Sequence, residues 1–202
     1  MNTLKLLTLL LLSWIAPAQA VEQPTYTLLR THEFFEVRNY EPFVVAEVVV
    51  PGPANEAVDQ AFPLLAGFVF GQNRSERKWE MTAPLMQTAL RFVPPAPATA
   101  DPIEMVETVL VQLMLPRESS PAGLPEPLDP RVRFREVPRQ RLAVIQYSGS
   151  WSQANYEEHL ELLRQALSQA GIMVLGDPVF SSYDAPLTPW FWRTNEIWLR
   201  VQ

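Results

Sequence analysis

The sequence predicts an α+β fold made of two repeats, each running strand, strand, helix, strand, strand. Three observations predict it. β-Branched and aromatic runs come in pairs, an apolar stripe with helical spacing follows each pair, and the whole pattern recurs after a proline-rich connector. Eight strands and two main helices are expected, arranged about a pseudo-twofold axis as a distorted barrel or curved sheet with a helix covering each half.

The first twenty residues read as a secretory signal. Lys5 supplies a positive start, Leu6–Leu12 is almost pure leucine, and Trp14-Ile15 extends the apolar run. Ala18-Gln19-Ala20 puts small residues where a signal peptidase cuts. The run is shorter than the roughly 20 residues of a membrane span. Cleavage before Val21 is therefore expected, giving a periplasmic or secreted protein with no stable membrane span; an uncleaved anchor is the competing reading. The chain has no cysteine, which excludes a lipoprotein anchor. Residues 21–202 are expected to form one domain, with repeat one at about 26–115 and repeat two at about 131–202.

In repeat one, Phe34–Tyr40 and Pro42–Val50 read as strands and turn at Pro51-Gly52. Ala54, Ala57, Val58, Ala61, Phe62 and Leu65 then fall on one helical stripe. Pro63 lies inside that helix and should kink or split it near Ala61–Phe62. Trp79–Gln87 and Glu107–Leu115 complete the repeat. In repeat two, Val132–Val137 and Arg141–Tyr147 are strands that end at Ser148-Gly149. A helix bearing Leu160, Leu163, Ala166, Leu167 and Ala170 follows. Ser150 with Gln153, or Asn155 with Glu158, is expected to form its capping box, and Gly171 its stop. Pro178–Tyr183 and Asn195–Val201 close the repeat. Phe92–Pro102 and Pro116–Pro130 are dense in proline, which can neither donate to a ladder nor continue a helix, so both are expected as loops.

Composition narrows the function. The formal charge is −6, and removal of Lys5 with the signal makes it more negative still. That balance argues against a nucleic-acid partner, whose phosphates call for a basic surface. Without cysteine there can be no thiolate metal site, iron–sulfur cluster or thiolate-ligated haem. Only His32 and His159 remain, too few for an ordinary zinc site, and no nucleophile–base set is recognisable. A binding protein is expected rather than an enzyme. His159 lies off the apolar stripe of its helix and reads as solvated. Trp190-Phe191-Trp192 cannot all point inward; the run either lines a cleft or plugs the barrel end. Glu196 lies in an apolar strand and needs a partner, for which Arg193 and Arg38 are the candidates. Met81 reads as packing, with sulfur ligation of haem as its alternative.

Three stretches carry a resemblance. The first is Phe35-Glu36-Val37-Arg38-Asn39-Tyr40 with Val44–Val48. The second is Leu65–Asn73 followed by Lys78-Trp79-Glu80-Met81-Thr82-Ala83-Pro84-Leu85. The third is Tyr183-Asp184-Ala185-Pro186 with Pro189 and Arg193–Leu199. In this order they resemble the SOUL haem-binding family, whose fold is shared with gyrase-inhibitor-like effector domains. The resemblance implies a tetrapyrrole ligand, with haem as cofactor, in a shallow apolar cleft. Carried onto this chain it implies ring contacts from Val58, Phe62, Leu65, Trp190 and Phe191. Arg74, Arg77 and Lys78 would lie near the propionates, Glu196 with Arg193 would be a polar anchor at the bottom of the pocket, and His32 is a candidate iron ligand. Where some members carry a ligating His, this chain has Asn39, and Asp59 and Gly67 flank the Phe62-Pro63 step. Two alternatives stand beside this reading: a binder of other amphiphilic or cationic molecules with Glu196 as counter-charge, and an enzyme built on Glu196 and Tyr183.

Overall fold

The computed structural model describes residues 21–91, 107–184 and 188–202. The expected signal, the loop Phe92–Pro102 and the Ala185-Pro186 part of the third motif lie outside these residues. The elements are β1 (Tyr26–Thr31), β2 (Glu36–Tyr40), β3 (Phe43–Pro51), α1 (Ala54–Val69), β4 (Leu85–Arg91), β5 (Glu107–Met114), β6 (Arg133–Val137), β7 (Gln140–Tyr147), α2 (Gln153–Gln169), β8 (Val179–Ser182) and β9 (Asn195–Arg200). The strands form one curled antiparallel sheet, a half-barrel, in the order β1-β2-β7-β9-β8-β4-β5-β3-β6. The expected α+β curved sheet with two main helices is what the chain adopts.

With β1 set aside, the order of the remaining eight strands is a palindrome. Exchanging β2 with β6, β3 with β7, β4 with β8 and β5 with β9 reverses it. β2 pairs with β7, and β6 with β3, so each half lends its leading strand to the other half's sheet. The halves meet where Leu85, Met86 and Gln87 of β4 pair with Ser182, Ser181 and Phe180 of β8.

Alternation along each strand sorts the core into three clusters. Val44, Ala46, Val48 and Val50 of β3, with Val109, Val111 and Leu113 of β5, pack under Ala57, Ala61, Leu65 and Phe68 of α1. Ala143 and Ile145 of β7, with Ile197 and Leu199 of β9, pack under Leu160, Leu163 and Leu167 of α2. Tyr40, Val45, Met86, Leu142, Val144 and Trp198 form the third cluster, on the sheet face away from the helices.

Four expectations are corrected. β1 is a ninth strand; all six of its residues are exposed, so no face gave a period-two signal. β4 starts at Leu85 rather than Trp79, because Trp79 turns back to the end of α1. Its N–H donates to Val69 O at 3.0 Å, and its ring stacks on Phe68 at 5.2 Å. Pro63 does not split α1, which is assigned as one helix from Ala54 to Val69. Ala61 and Leu65, the residues that pin it to the sheet on either side of Pro63, are fully buried. α2 is capped by Ser152, whose hydroxyl accepts from Asn155 N at 3.3 Å, and not by either expected capping box. Gly171 does stop α2. It stands at φ +67°, with Gly171 N donating to Ser168 O and Ile172 N to Leu167 O, a Schellman closure. Gly71 closes α1 the same way, with φ +106° and a Gln72 N to Gly67 O bond of 2.8 Å.

Candidate ligand-binding cleft

The pseudo-twofold junction of β4 and β8 carries an open cleft of about 590 Å3 on the helix side of the sheet. That volume is typical of small-molecule sites. The first turns of both helices line it: Ala54, Asn55 and Val58 from α1, and Ser152, Gln153 and Tyr156 from α2. Its floor is Gln87 and Ala89 of β4, Tyr147 of β7 and Phe180 of β8, and Trp151 walls the α2 side. The surface is mainly apolar and aromatic, with Asp59 and Glu107 the two carboxylates on its rim.

Local geometry holds each ring in place. The chain leaves β7 through Gly149, at φ +118°, a backbone conformation that favours glycine. This turn swings Trp151 over the start of β9, where its indole N–H donates to Asn195 Oδ1 at 3.0 Å. The Arg193 guanidinium lies 4.5 Å from the centre of the Trp151 ring. Tyr156 meets Phe180 edge to face at 6.0 Å, and His159 stacks on Tyr147 at 4.1 Å. Burial, with the neighbouring Tyr156, pushes the Tyr147 phenol well above its ordinary range, and burial also raises Tyr156. Both phenols are therefore neutral hydrogen-bonding groups at physiological pH. The Gln87 Oε1 atom is buried at the floor and has no hydrogen-bond partner in the protein.

Several residues expected at the site lie elsewhere. Val58 lines the cleft. Phe62, one turn further along α1, does not. Leu65 has no exposed surface and sits in the core beneath α1, so it cannot touch a ligand ring. Arg74 and Lys78 follow the far end of α1. A 16-residue helix spans roughly 24 Å at 1.5 Å per residue, so these cations are out of reach of a ligand in the cleft. Arg74 instead pairs with Glu126. Trp190 and Phe191 are exposed on a 3₁₀ turn outside the lining. Arg193 backs the rim through Trp151, and its Nε donates to Thr188 O at 2.8 Å.

Glu196 is on the opposite face of the sheet. Its carboxylate accepts from Arg38 NH1 at 2.8 Å, Tyr183 OH at 2.7 Å and Trp198 Nε1 at 2.7 Å. Arg38, rather than Arg193, is its charged partner, and both side chains are about 95% buried. Burial pulls the Arg38 pKa down, and the Glu196 carboxylate and Tyr40 more than reverse this, so the guanidinium stays charged. His32 lies between β1 and β2, stacked on Phe35 at 4.2 Å, with its Nε2 buried and unpartnered. Two strands, β7 and β9, separate β2 from β8 in the sheet order, and His32 is not among the residues that line the cleft. Among the described residues no group of three or more His, Asp or Glu side chains is placed to hold a metal.

Tyr147, Trp151, Tyr156, Phe180 and Gln87 escaped the sequence reading. A buried aromatic in a strand or at a helix start reads as core, and nothing along the chain shows that these rings share one opening. The detectable signal was the duplication itself, because the first turns of α1 and α2 recur at corresponding places in the two repeats.

A second cavity, of about 500 Å3, lies between the residue 77–79 segment and the proline-rich connector. Its lining balances Arg77 and Arg117 against Glu22 and Glu118, and Glu22 is already taken by the Arg117 N–H at 2.7 Å. It offers no comparable apolar surface.

The fold is shared with solved structures at low identity. The C-terminal domain of EcmrR superposes with a TM-score of 0.56 at 11% identity, covering 88% of this chain and 98% of that one. A structure described as a hydrolase from Listeria innocua gives 0.56 at 11%, covering 91% and 94%. Sequence relatives are nearer: heme-binding protein 2 of Mus musculus is 27% identical over 190 residues, 93% of this chain and 83% of the relative. The sequence model of the family described as SOUL heme-binding protein matches residues 21–200, from the first described residue to the end of β9. With its motifs in order and its whole described fold inside that match, the chain belongs to the SOUL heme-binding protein family.

Proposed function

We propose that this chain is a tetrapyrrole-binding protein, not a catalyst, and that it holds the ring by its faces in the cleft between the starts of α1 and α2. The observation that carries this reading is the cleft itself: about 590 Å3 of mostly aromatic wall at the junction of the two halves. Flat rings bury well against Trp and Tyr faces. The lining suits a porphyrin ring but contains no His or Met to ligate its iron. Tyr147 and Tyr156 are held neutral, which makes them poor anionic ligands. A bound haem would supply its iron and its visible absorption; the residues of this chain bind and orient the ring. With Arg74 and Lys78 remote, carboxylate groups on the ligand would face the positively polarised starts of the two helices. The cationic-ligand alternative loses Glu196, which is already neutralised by Arg38 on the other face of the sheet, and keeps only the rim carboxylates Asp59 and Glu107 as counter-charge. An enzyme built on Glu196 and Tyr183 is disfavoured for the same reason, since the two are hydrogen-bonded to each other within that buried network.

Titration of haem into the purified protein is expected to shift the Soret band. Trp151→Ala with Phe180→Ala should weaken binding about tenfold or more, the equivalent of losing one good aromatic contact. No spectral change at tens of micromolar haem would discard the reading. We further propose that the protein is exported and matures at Val21. Expression in a Gram-negative host should yield a periplasmic species whose N-terminal residue is Val21. An intact N-terminus on cytoplasmic protein would rule that out.

A further inference from the structure

We propose that the Trp190-Phe191-Trp192 turn is a membrane-interface contact that sets the mouth of the cleft against a zwitterionic bilayer, from which an amphiphilic ligand is loaded. The loading step rests on the tetrapyrrole reading; the membrane contact does not. The three rings are 62, 53 and 72% exposed, a cost that a domain does not ordinarily carry for large apolar side chains. They are also held in a defined shape. Trp190 meets Phe191 at 5.5 Å, and Phe191 meets Trp192 at 5.3 Å, both edge to face. The turn is closed by Trp192 N donating to Pro189 O at 2.9 Å and tied to the cleft side by Gly149 N donating to Trp190 O at 3.2 Å. One residue beyond it, Arg193 stacks on Trp151, a wall of the cleft. The turn is thus a hydrogen-bonded apolar knuckle coupled to the rim of the opening.

Area and chemistry select the occupant. Side chains of about 150–250 Å2 each, exposed to this extent, present on the order of 400 Å2. A stable protein interface buries about 800 Å2 per partner, so three rings alone are too small a footprint for one. A bilayer interface requires no matching shape, and tryptophan concentrates there because its ring is apolar and its N–H polar. The formal charge of −6 gives no attraction to an anionic surface, which points to neutral headgroups. A porphyrin is itself an amphiphile that partitions into bilayers, so a cleft beside such a contact can exchange its ligand without passing it through water.

The test is co-sedimentation with phosphatidylcholine vesicles of the full chain and of the chain beginning at Val21, each with and without W190S/W192S. The leucine-rich start adds membrane affinity of its own, so the comparison is read on the chain from Val21, which contains every described element. Vesicle binding should fall about tenfold or more in the double variant, with thermal stability unchanged. Transfer of protoporphyrin IX from loaded vesicles should slow by a similar factor, while affinity for the same porphyrin in solution stays the same. Equal vesicle binding by variant and parent would overturn the proposal. So would a parent that self-associates without lipid and a variant that does not, since the rings would then cover a second copy of the chain. If neither form binds porphyrin in solution while the vesicle difference holds, the membrane contact stands and the tetrapyrrole reading falls.

Discussion

The carboxylate of Glu196 receives a guanidinium, a phenol and an indole, and faces no open water. Such a group costs free energy to bury unless each lone pair is met, and removing its charge strands its partner. Glu196→Gln leaves Arg38 with Glu36 as its remaining carboxylate, at 2.7 Å. The substitution should therefore lower stability by about 3 kcal/mol, the low end for a broken buried pair. For a chain of this size that corresponds to a fall in Tm of roughly 6–12 °C. Calorimetry of the variant checks this, and a loss under about 1 kcal/mol would show that the pair contributes little net stability. The need for a partner was legible in the sequence, because a Glu inside Asn195–Val201 sits among apolar residues. Its partner was left open between Arg38 and Arg193, because pairing depends on which strands become neighbours through β7. Glycine was the most readable residue type: Gly171 marked its helix end from spacing alone, since only a left-handed position closes the carbonyls there.

At the level of elements, what each segment buries decides how well it can be read. α2 buries one stripe and exposes the rest, while β7 is buried on both faces from Leu142 to Ile145; the helical stripe and the continuous apolar run placed them within a residue or two. β1 buries neither face and was invisible. β4 was misplaced by six residues because Trp79 and Met81, apolar and partly buried, pack against the α1 core from a loop and mimic a strand. Pro63 was expected to kink or split its helix, and the split does not occur. Its missing N–H removes one helical bond, but burial of Ala61 and Leu65 outweighs that loss, and α1 continues. The cleft was the least legible feature. Its walls come from the starts of two helices about a hundred residues apart in sequence and from strands β4, β7 and β8. Val58 was found because it lies on a stripe; Trp151 and Phe180 were not, because only the β4–β8 pairing brings their segments to the same opening.

For the molecule as a whole, burial is shared between two clusters under the helices and one on the far face, and four of the five tyrosines take part in it. Burial, with Glu196 nearby in two cases, raises the phenol pKa of Tyr40, Tyr147, Tyr156 and Tyr183. The folded state then holds protons that the unfolded chain releases near pH 10, so stability from this source is complete below about pH 10 and declines as pH rises beyond it. An alkaline titration should show four phenolates appearing at 295 nm together with loss of the helical signal. Ionisation of all five near pH 10 with the fold intact would contradict the burial described here. The crossing of leading strands between halves has a different consequence. Since β2 is seated on β7, and β6 on β3, neither half owns a complete set of strands. The stretch from Pro116 to Pro130 looks like a hinge on paper but joins two interlocked parts. Chains severed there would each carry an orphaned first strand and a sheet wanting its neighbour, and would be useful only in each other's company.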